Sequence, residues 1–476
     1  MTVFAPGETC WRTARVNRVA FLIASDAYFT AAFEAIQKAE HSILLLGWTF
    51  DPRTRLAPDG HVGPADPDEV GRVLLRLSEA RPDLDIRLLI WKSALPIAAT
   101  QHFFPHEARK WFDGTQIKFR LDDQVPFGAC HHQKVLVIDD RLAFCGGGDI
   151  SVDRWDSWRH LQEDLRRILP TRAQHAPRHE VMMMVDGDAA RALGDHFRER
   201  WRRIPEAGPA PAPAPGDGAD LWPRHVAPQL IDTNVAIART MPAWRARPFV
   251  EEIRRLTLDC IAQARETIYL ENQYFTSPLV TDALAARLAE PNGPEVVLIT
   301  TGRAPSWFDR LTMDRARGAM ISRLRAADNF GRFRALYPTT SGGRDIIVHS
   351  KCSIFDDRIV RVGSANINNR SFGFDSECEL GVECASAADR RTIQAFRDRL
   401  VGHFMGETGE TVANARAKHG GLVSAIDALD YNGRLLSIPP RRQSALDEFV
   451  ATYHIGDPVD VRDSWRLRRR DQRSDS

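Results

Sequence analysis

The sequence predicts an α/β fold of two similar lobes, each a mixed sheet flanked by helices, related by a pseudo-twofold axis with the functional site at their interface. Three observations predict it. Short apolar runs alternate with amphipathic stretches, a Pro/Ala/Gly run divides the chain near its middle, and a block of twenty residues before that run recurs after it. With 476 residues, 43% of them hydrophobic, the chain can bury a large core or two, and disorder is excluded as the whole answer.

In chain order, residues 28–42 (YFTAAFEAIQKAEHS) carry apolar side chains at helical spacing. The run 43–50 (ILLLGWTF) is short, continuous and apolar, as a buried strand requires. Residues 68–80 (DEVGRVLLRLSEA) return to helical spacing, and 85–91 (DIRLLIW) and 134–139 (KVLVID) read as further strands. Residues 205–220 (PEAGPAPAPAPGDGAD) cannot sustain helix or sheet hydrogen bonding and predict an extended linker. The plan then repeats: a helix over 253–266 and strands over 268–275, 295–300 and 351–356. Each half closes with a helix containing Phe-Arg-acid-Arg, Phe197 to Arg200 and Phe396 to Arg399. The expected organisation is an N-terminal lobe at 1–204, a linker at 205–223, a C-terminal lobe at 224–402 and an extension with a basic tail at 403–476.

Lys and Arg number 64 against 63 Asp and Glu, so the net charge of +1 supplies no chain-wide field for a polyanion. Any anion must be met by local groups. Only seven of the basic residues are Lys, so the position of each is informative. The seven Cys contain no CxxC pair, which argues for reduced, mostly buried thiols over a disulfide framework or a thiolate zinc site. The first residues lack a basic region followed by an apolar stretch, and no apolar run reaches the length of a membrane span. The expectation is a soluble chain, cytoplasmic or peripheral on a membrane.

The repeated block carries the chemistry. Residues 131–150 (HHQKVLVIDDRLAFCGGGDI) align without a gap on 348–367 (VHSKCSIFDDRIVRVGSANI) at a constant offset of 217, with seven identities. Both contain H-x-K-x-x-x-x-D: His132, Lys134 and Asp139, then His349, Lys351 and Asp356. On a strand, His and Lys at i and i+2 share one face, and Asp at i+7 falls on the other, where it would brace the strand end. Two such faces meeting across a pseudo-twofold bring two imidazoles and two ammonium groups to one small volume, which suits a phosphate diester. One neutral imidazole can attack phosphorus while the other, protonated, serves the leaving alkoxide. No metal or other cofactor is required by this chemistry. The need for one neutral and one protonated imidazole predicts a bell-shaped pH dependence with both limbs near the histidine range. Beyond each strand, Gly147 and Ser364 lie in small-residue turns suited to close approach of an anion. Asp149 and Asn366 occupy equivalent positions but differ in donor capacity, so the lobes should not be functionally identical.

These paired blocks resemble the phospholipase D superfamily. Residues 349–377 are similar to the second catalytic motif of the phospholipase D enzymes proper, and 268–275 to a block that precedes it. Residues 131–150 resemble their first motif, and 177–190 (PRHEVMMMVDGDAA) their Trp-His-Asp segment with Arg178 and Glu180 substituted. The resemblance covers about residues 10–402. It implies hydrolysis of a glycerophospholipid to phosphatidic acid and a free head alcohol through a covalent phosphohistidine, with His132 as nucleophile and His349 as acid and then base. It also implies an acidic side chain orienting each imidazole: Glu377 for His349, and Glu180, with Glu163 and Asp164 as rivals, for His132. Phosphatidyl transfer of the cardiolipin synthase type is the alternative, and a nuclease the weaker one. The expected partner is a phospholipid at a membrane surface, with no nucleic acid and no obligate protein partner. Leaderless secretion is compatible with the resemblance to secreted bacterial relatives.

His131, His160 and His179 are expected to pack or face water. Trp155, Trp158, Trp307 and Phe308 are candidates for a lipid interface, although core packing is the expected fate of most, and Arg466 to Arg470 form a solvated tail. The loop 341–345 (SGGRD) precedes the second motif and is placed to gate entry.

Overall fold

Two long strands that the sequence pattern does not single out, Arg12–Ile23 and Leu230–Met241, run antiparallel side by side at the centre of a sixteen-stranded sheet. Polar residues at exposed positions dilute their strand signal: the first begins RTARVNR, with Thr13, Arg15 and Asn17 exposed and Arg12, Ala14 and Arg18 half-buried, and becomes continuously apolar at Val19–Ile23. The computed structural model describes residues 2–58, 68–93, 106–213, 220–440 and 456–459; the Arg466 to Arg470 tail and the side chain of Phe308 lie outside the described residues.

From the first central strand outward, the N-terminal half continues through Val181–Asp186, Leu142–Gly146, Val135–Ile138, Ser42–Gly47, Asp85–Trp91 and Lys118–Asp122. From the second, the C-terminal half continues through Glu377–Glu383, Ile359–Gly363, Lys351–Phe355, Thr267–Asn272, Glu295–Ile299 and Phe333–Pro338. The two series match strand for strand, and in each the outer three strands are parallel while the motif hairpin is antiparallel. The result is two α/β lobes about a pseudo-twofold axis that passes between the central strands.

One face of the sheet carries a core common to both lobes, covered by the closing helices Gly187–Trp201 and Ala387–Met405. Phe21 of one lobe stacks on Phe396 of the other with ring centroids 4.4 Å apart. The opposite face is covered lobe by lobe, by Ser25–Gln37 and Val70–Ala80 in one and by Glu252–Gln263 and Pro278–Ala289 in the other. The Phe-Arg-acid-Arg repeat has a packing reason. Phe197 and Phe396 are buried, and Arg198 and Arg397 pair with Asp140 and Asp357, the second acid of each motif's Asp-Asp. A buried acid of this kind needs such a partner, because an unpaired charge in the core costs several kcal/mol, on the order of 3–5 when one member of a pair is removed.

The described part of the Pro/Ala/Gly run forms neither helix nor strand and is fastened to the N-terminal lobe: Arg87 Nη1 donates to the Ala207 carbonyl at 2.5 Å and the Ala212 amide to Asp140 Oδ2 at 2.9 Å. The expected boundary between residues 402 and 403 is corrected, since it falls inside the helix Ala387–Met405. The helices Gly409–His419 and Leu422–Leu429 and the edge strand Leu435–Ser437, paired with Phe333–Pro338, complete the C-terminal lobe. Val412, Leu422, Val423 and Ile426 belong to the shared core, so the start of this extension is part of the lobe. Trp155 is buried, whereas Trp158 and Trp307 are exposed. The loop 341–345 is pinned where Thr340 Oγ1 donates to Gln162 Oε1 and Thr339 bridges Asp345.

Candidate active site

The chain segments that bear the motif histidines cross to the opposite lobe. His131 bridges Ser376, the His132 amide donates to the Ser376 carbonyl at 2.9 Å, and the strand Ile347–Val348 pairs in parallel with Arg178–His179. Each motif histidine is thereby set beside the carboxylate that follows the other lobe's segment. His132 Nδ1 lies 3.1 Å from Glu377 Oε2, and His349 Nδ1 lies 2.7 Å from Glu180 Oε2. This corrects the expected pairing of Glu377 with His349 and Glu180 with His132. The reason is topological: the interlobe bridges, which a one-dimensional spacing cannot reveal, decide which acid faces which ring. The rivals are set aside too, since Asp164 is occupied by Arg166 and Glu163 is exposed.

Lys134 and Lys351 share the face of their histidines, as the i, i+2 spacing requires. Each ammonium donates to the carbonyl of its own histidine at 2.6 Å, and Lys134 Nζ is also 3.5 Å from Asp149 Oδ2. Burial, together with Lys134 and Lys351, holds the His132 imidazole well below the ordinary histidine value. Burial, then Lys351, Arg154 and Arg178, do the same to His349. Burial beside Lys134 brings Lys351 down to about 7 against the pull of Glu180. Each half-site therefore feels the cations of the other, and four positive groups surround one volume.

The six motif residues do not stay together. Asp139 and Asp356 sit at positive φ, 52° and 54°, at the turn of each motif hairpin. Asp139 accepts from the amides of Glu40, His41 and Ser42, and Asp356 from those of Arg265, Glu266 and Thr267. Both carboxylates brace strand ends and are removed from the catalytic set, as their odd parity on the strand requires.

The expected phosphate-binding residues also divide. Gly147 makes room for Glu180: a Cβ there would collide with Glu180 Oε1 and come within 2.8 Å of the His349 carbonyl. Ser364 Oγ donates to Glu377 Oε2, and its carbonyl lies 3.0 Å from His132 Nδ1. Asp149 accepts from the Trp48 and Thr49 amides. Two buried side-chain oxygens of this set have no hydrogen-bond partner among the described residues: Asp149 Oδ2, which faces the Lys134 ammonium at 3.5 Å, and Asn366 Oδ1.

Four contributing side chains escape the sequence reading. Ser371 Oγ donates to Glu377 Oε1 at 2.7 Å, opposite Ser364, so that two hydroxyls hold this carboxylate while burial pushes it up to about 8. Arg154 and Arg178 are buried and their charges act on His349, and each leaves its Nε without a hydrogen-bond partner among the described residues. Trp48 presents its edge to His132 at 6.4 Å and stacks on Trp91. Continuing the offset of 217 would have paired Arg154 with Ser371; Trp48 carries no signal beyond its place at a strand end.

His132 Nδ1 faces a carboxylate and a backbone carbonyl, and the carbonyl can only accept, so Nδ1 carries the hydrogen and Nε2 keeps a lone pair. This side chain is also the more open of the two, 14% exposed against 8% for His349. Such an arrangement can present one nucleophilic nitrogen to a phosphorus atom held between two lysines.

Comparison with known proteins finds related family models in both halves of the chain. A family model described as phospholipase D matches residues 35–212, and one described as cardiolipin synthase, PLD-like domain, matches 257–400. The chain is 24% identical to phospholipase D2 of Bos taurus over 75% of its own length and 48% of the relative's, and 24% identical to phospholipase D alpha 4 of Arabidopsis thaliana over 77% and 61%. It is 22% identical to cardiolipin synthase A of Pseudomonas putida over 85% and 71%. The chain thus spans half to three-fifths of the two phospholipases D. A solved phosphatidylserine synthase from Haemophilus influenzae superposes with a TM-score of 0.54 at 13% identity, covering 88% of this chain and 97% of that one, and shares the fold.

Proposed function

The chain belongs to the phospholipase D superfamily, and from that premise we propose that it hydrolyses glycerophospholipids to phosphatidic acid and a free head alcohol. The observation that carries the proposal is the convergence of two crossed His–carboxylate pairs and two lysines from separate lobes. Lys134 and Lys351 take the non-bridging oxygens of the diester. His132 Nε2 attacks phosphorus, the bond from phosphorus to the head-alcohol oxygen breaks, and His349 Nε2 gives its proton to that oxygen. In the second step His349 takes a proton from water, whose oxygen displaces His132 and releases phosphatidic acid. Arrival of an anionic phosphate offsets the lysine charges that depress His349, so the acid gains its proton where the substrate is bound. Trp158, Leu161, Leu165 and Ile168 are exposed on the stretch that follows the first motif, and Trp307 is exposed as well, which supports work at a lipid surface.

Phosphatidyl transfer, in which a lipid alcohol replaces water at the phosphohistidine, is the second reading; the likeness of residues 257–400 to the cardiolipin synthase family model favours it. Incubation with vesicles of phosphatidylcholine or phosphatidylglycerol and with plasmid DNA, with and without ethanol, separates the readings. Phosphatidic acid, diverted to phosphatidylethanol by ethanol, is expected. Cardiolipin from phosphatidylglycerol would favour transfer, and turnover of DNA alone would overturn the lipid assignment.

A further inference from the structure

A second group of imidazoles lies apart from the motif histidines. His160, from the stretch after the first motif, His179, from Arg178–His179, and His403, near the end of Ala387–Met405, are buried, and each brings one ring nitrogen to within 4.8 Å of the other two. The His179 and His403 centroids are 4.8 Å apart, with His160 at 5.6 and 5.5 Å from them, and Phe404 packs against all three rings.

The placement of hydrogens decides what this group can do. His160 Nδ1 is 2.9 Å from Asp156 Oδ2, a carboxylate otherwise surrounded by donors: the Ser157 and Arg178 amides and the Arg167 guanidinium. Its Nδ1 therefore carries the hydrogen, and its buried Nε2 has no hydrogen-bond partner among the described residues. His179 Nε2 is 2.8 Å from Glu271 Oε2, which also accepts from Ser350, while Tyr269 donates to the other oxygen. A hydrogen on Nε2 leaves His179 Nδ1 as a lone pair. His403 Nδ1 looks back on the Arg399 and Leu400 carbonyls without closing a full hydrogen bond, and a carbonyl can only accept. His403 Nε2 then also presents a lone pair, 3.2 Å from His179 Nδ1. Moving the hydrogen to His403 Nε2 would satisfy that contact, but it would turn Nδ1 into an acceptor facing carbonyls and leave His160 Nε2 unpaired. Buried acceptors left so are costly, on the order of 1–3 kcal/mol each.

We propose that His160 Nε2, His179 Nδ1 and His403 Nε2 bind a zinc-class divalent cation, with water in the fourth position. Small rotations of the rings bring the three nitrogens to the ~2.0–2.1 Å metal distance that imidazole ligands adopt. Two of the rings are tied at the far nitrogen to a carboxylate and the third faces backbone carbonyls, the arrangement that fixes the tautomer of a metal-bound histidine. Two ligands precede the linker and the third comes from the closing helix of the C-terminal lobe, so the ion clips the lobes together. It does so behind the catalytic frame: His179 precedes Glu180, and Glu271 holds Ser350 next to His349. The ion stands apart from the phosphoryl chemistry.

The full chain, stripped with dipicolinate and titrated with Co²⁺, should bind about one equivalent and develop the intense visible bands of a four-coordinate ion, lost again on adding Zn²⁺. Zn²⁺ should also raise the thermal unfolding midpoint of the stripped protein. His160→Gln and His403→Gln should each weaken Co²⁺ binding by at least about 10–100-fold, whereas His225→Gln, at an exposed histidine, binds as the wild type. Should a variant fail to fold, the wild-type titration decides. Absence of the bands together with a midpoint unmoved by Zn²⁺ would overturn the site, as would bands that persist in both variants.

Discussion

His132 and His349 are related by the repeat, yet Nδ1 of the first sits between a carboxylate and a carbonyl, while Nδ1 of the second meets a carboxylate alone. Around Glu377 the C-terminal lobe supplies two hydroxyls, Ser364 and Ser371. The residues displaced by 217 in the N-terminal lobe are Gly147 and Arg154, so Glu180 meets an absence of side chain at the first and feels the guanidinium charge of the second through space. Duplication of the backbone thus supplied two equivalent frames, and substitutions at two positions made them unequal. One ring has a fixed tautomer suited to attack. The other lies in a field of cations that a bound phosphate can reverse, which suits proton transfer.

The largest effects should come from the rings themselves. His132→Asn and His349→Asn should each lower turnover by at least about 10³-fold, with binding of vesicles unchanged; a loss below tenfold in steady-state assays for either would break the division of labour. The orienting acids come next and sharpen the comparison. Glu180→Gln should cost more than Glu377→Gln, both in the range of about 10–100-fold in kcat, because His132 keeps the Ser364 carbonyl when its acid is neutralised. Equal losses would show that the carbonyl does not fix the tautomer.

The pH profile follows from the same asymmetry. Lys351 is charged below about 7 in the free enzyme and neutral above it, so kcat/KM for an anionic diester should fall as pH rises through about 7, and Lys351→Arg should abolish that limb. His132 lies well below the ordinary histidine value, so the acid limb should fall below the histidine range, in place of the two histidine-centred limbs that motif chemistry alone predicts. The smallest effects belong to the bracing acids. Asp139→Ala should cost about 3 kcal/mol of stability and Asp356→Ala, in a more exposed turn, about half of that, as read by urea unfolding, with kcat nearly unchanged.

Much of this was legible in the residues. The alternation of runs and the repeated block predict two α/β lobes, and the i, i+2 parity separates His and Lys from the Asp that braces the turn. Other features lie beyond a one-dimensional reading. The central strands carry polar residues that hide them, and the crossed pairing of Glu180 and Glu377 depends on bridges between segments some 170 to 245 positions apart. Gly147 and Ser364 look like phosphate-loop residues in sequence, but their neighbours in space are the two carboxylates. His160, His179 and His403 have no diagnostic spacing, and only folding brings them together.

Trapping the covalent intermediate tests the central claim most directly. With a phospholipid labelled in its phosphate, rapid quenching and peptide mapping of His349→Asn should place the label on the His132 ring, and His132→Asn should show none. Label on His349, or none in either variant, would contradict a site in which two lobes serve one phosphorus with unequal histidines.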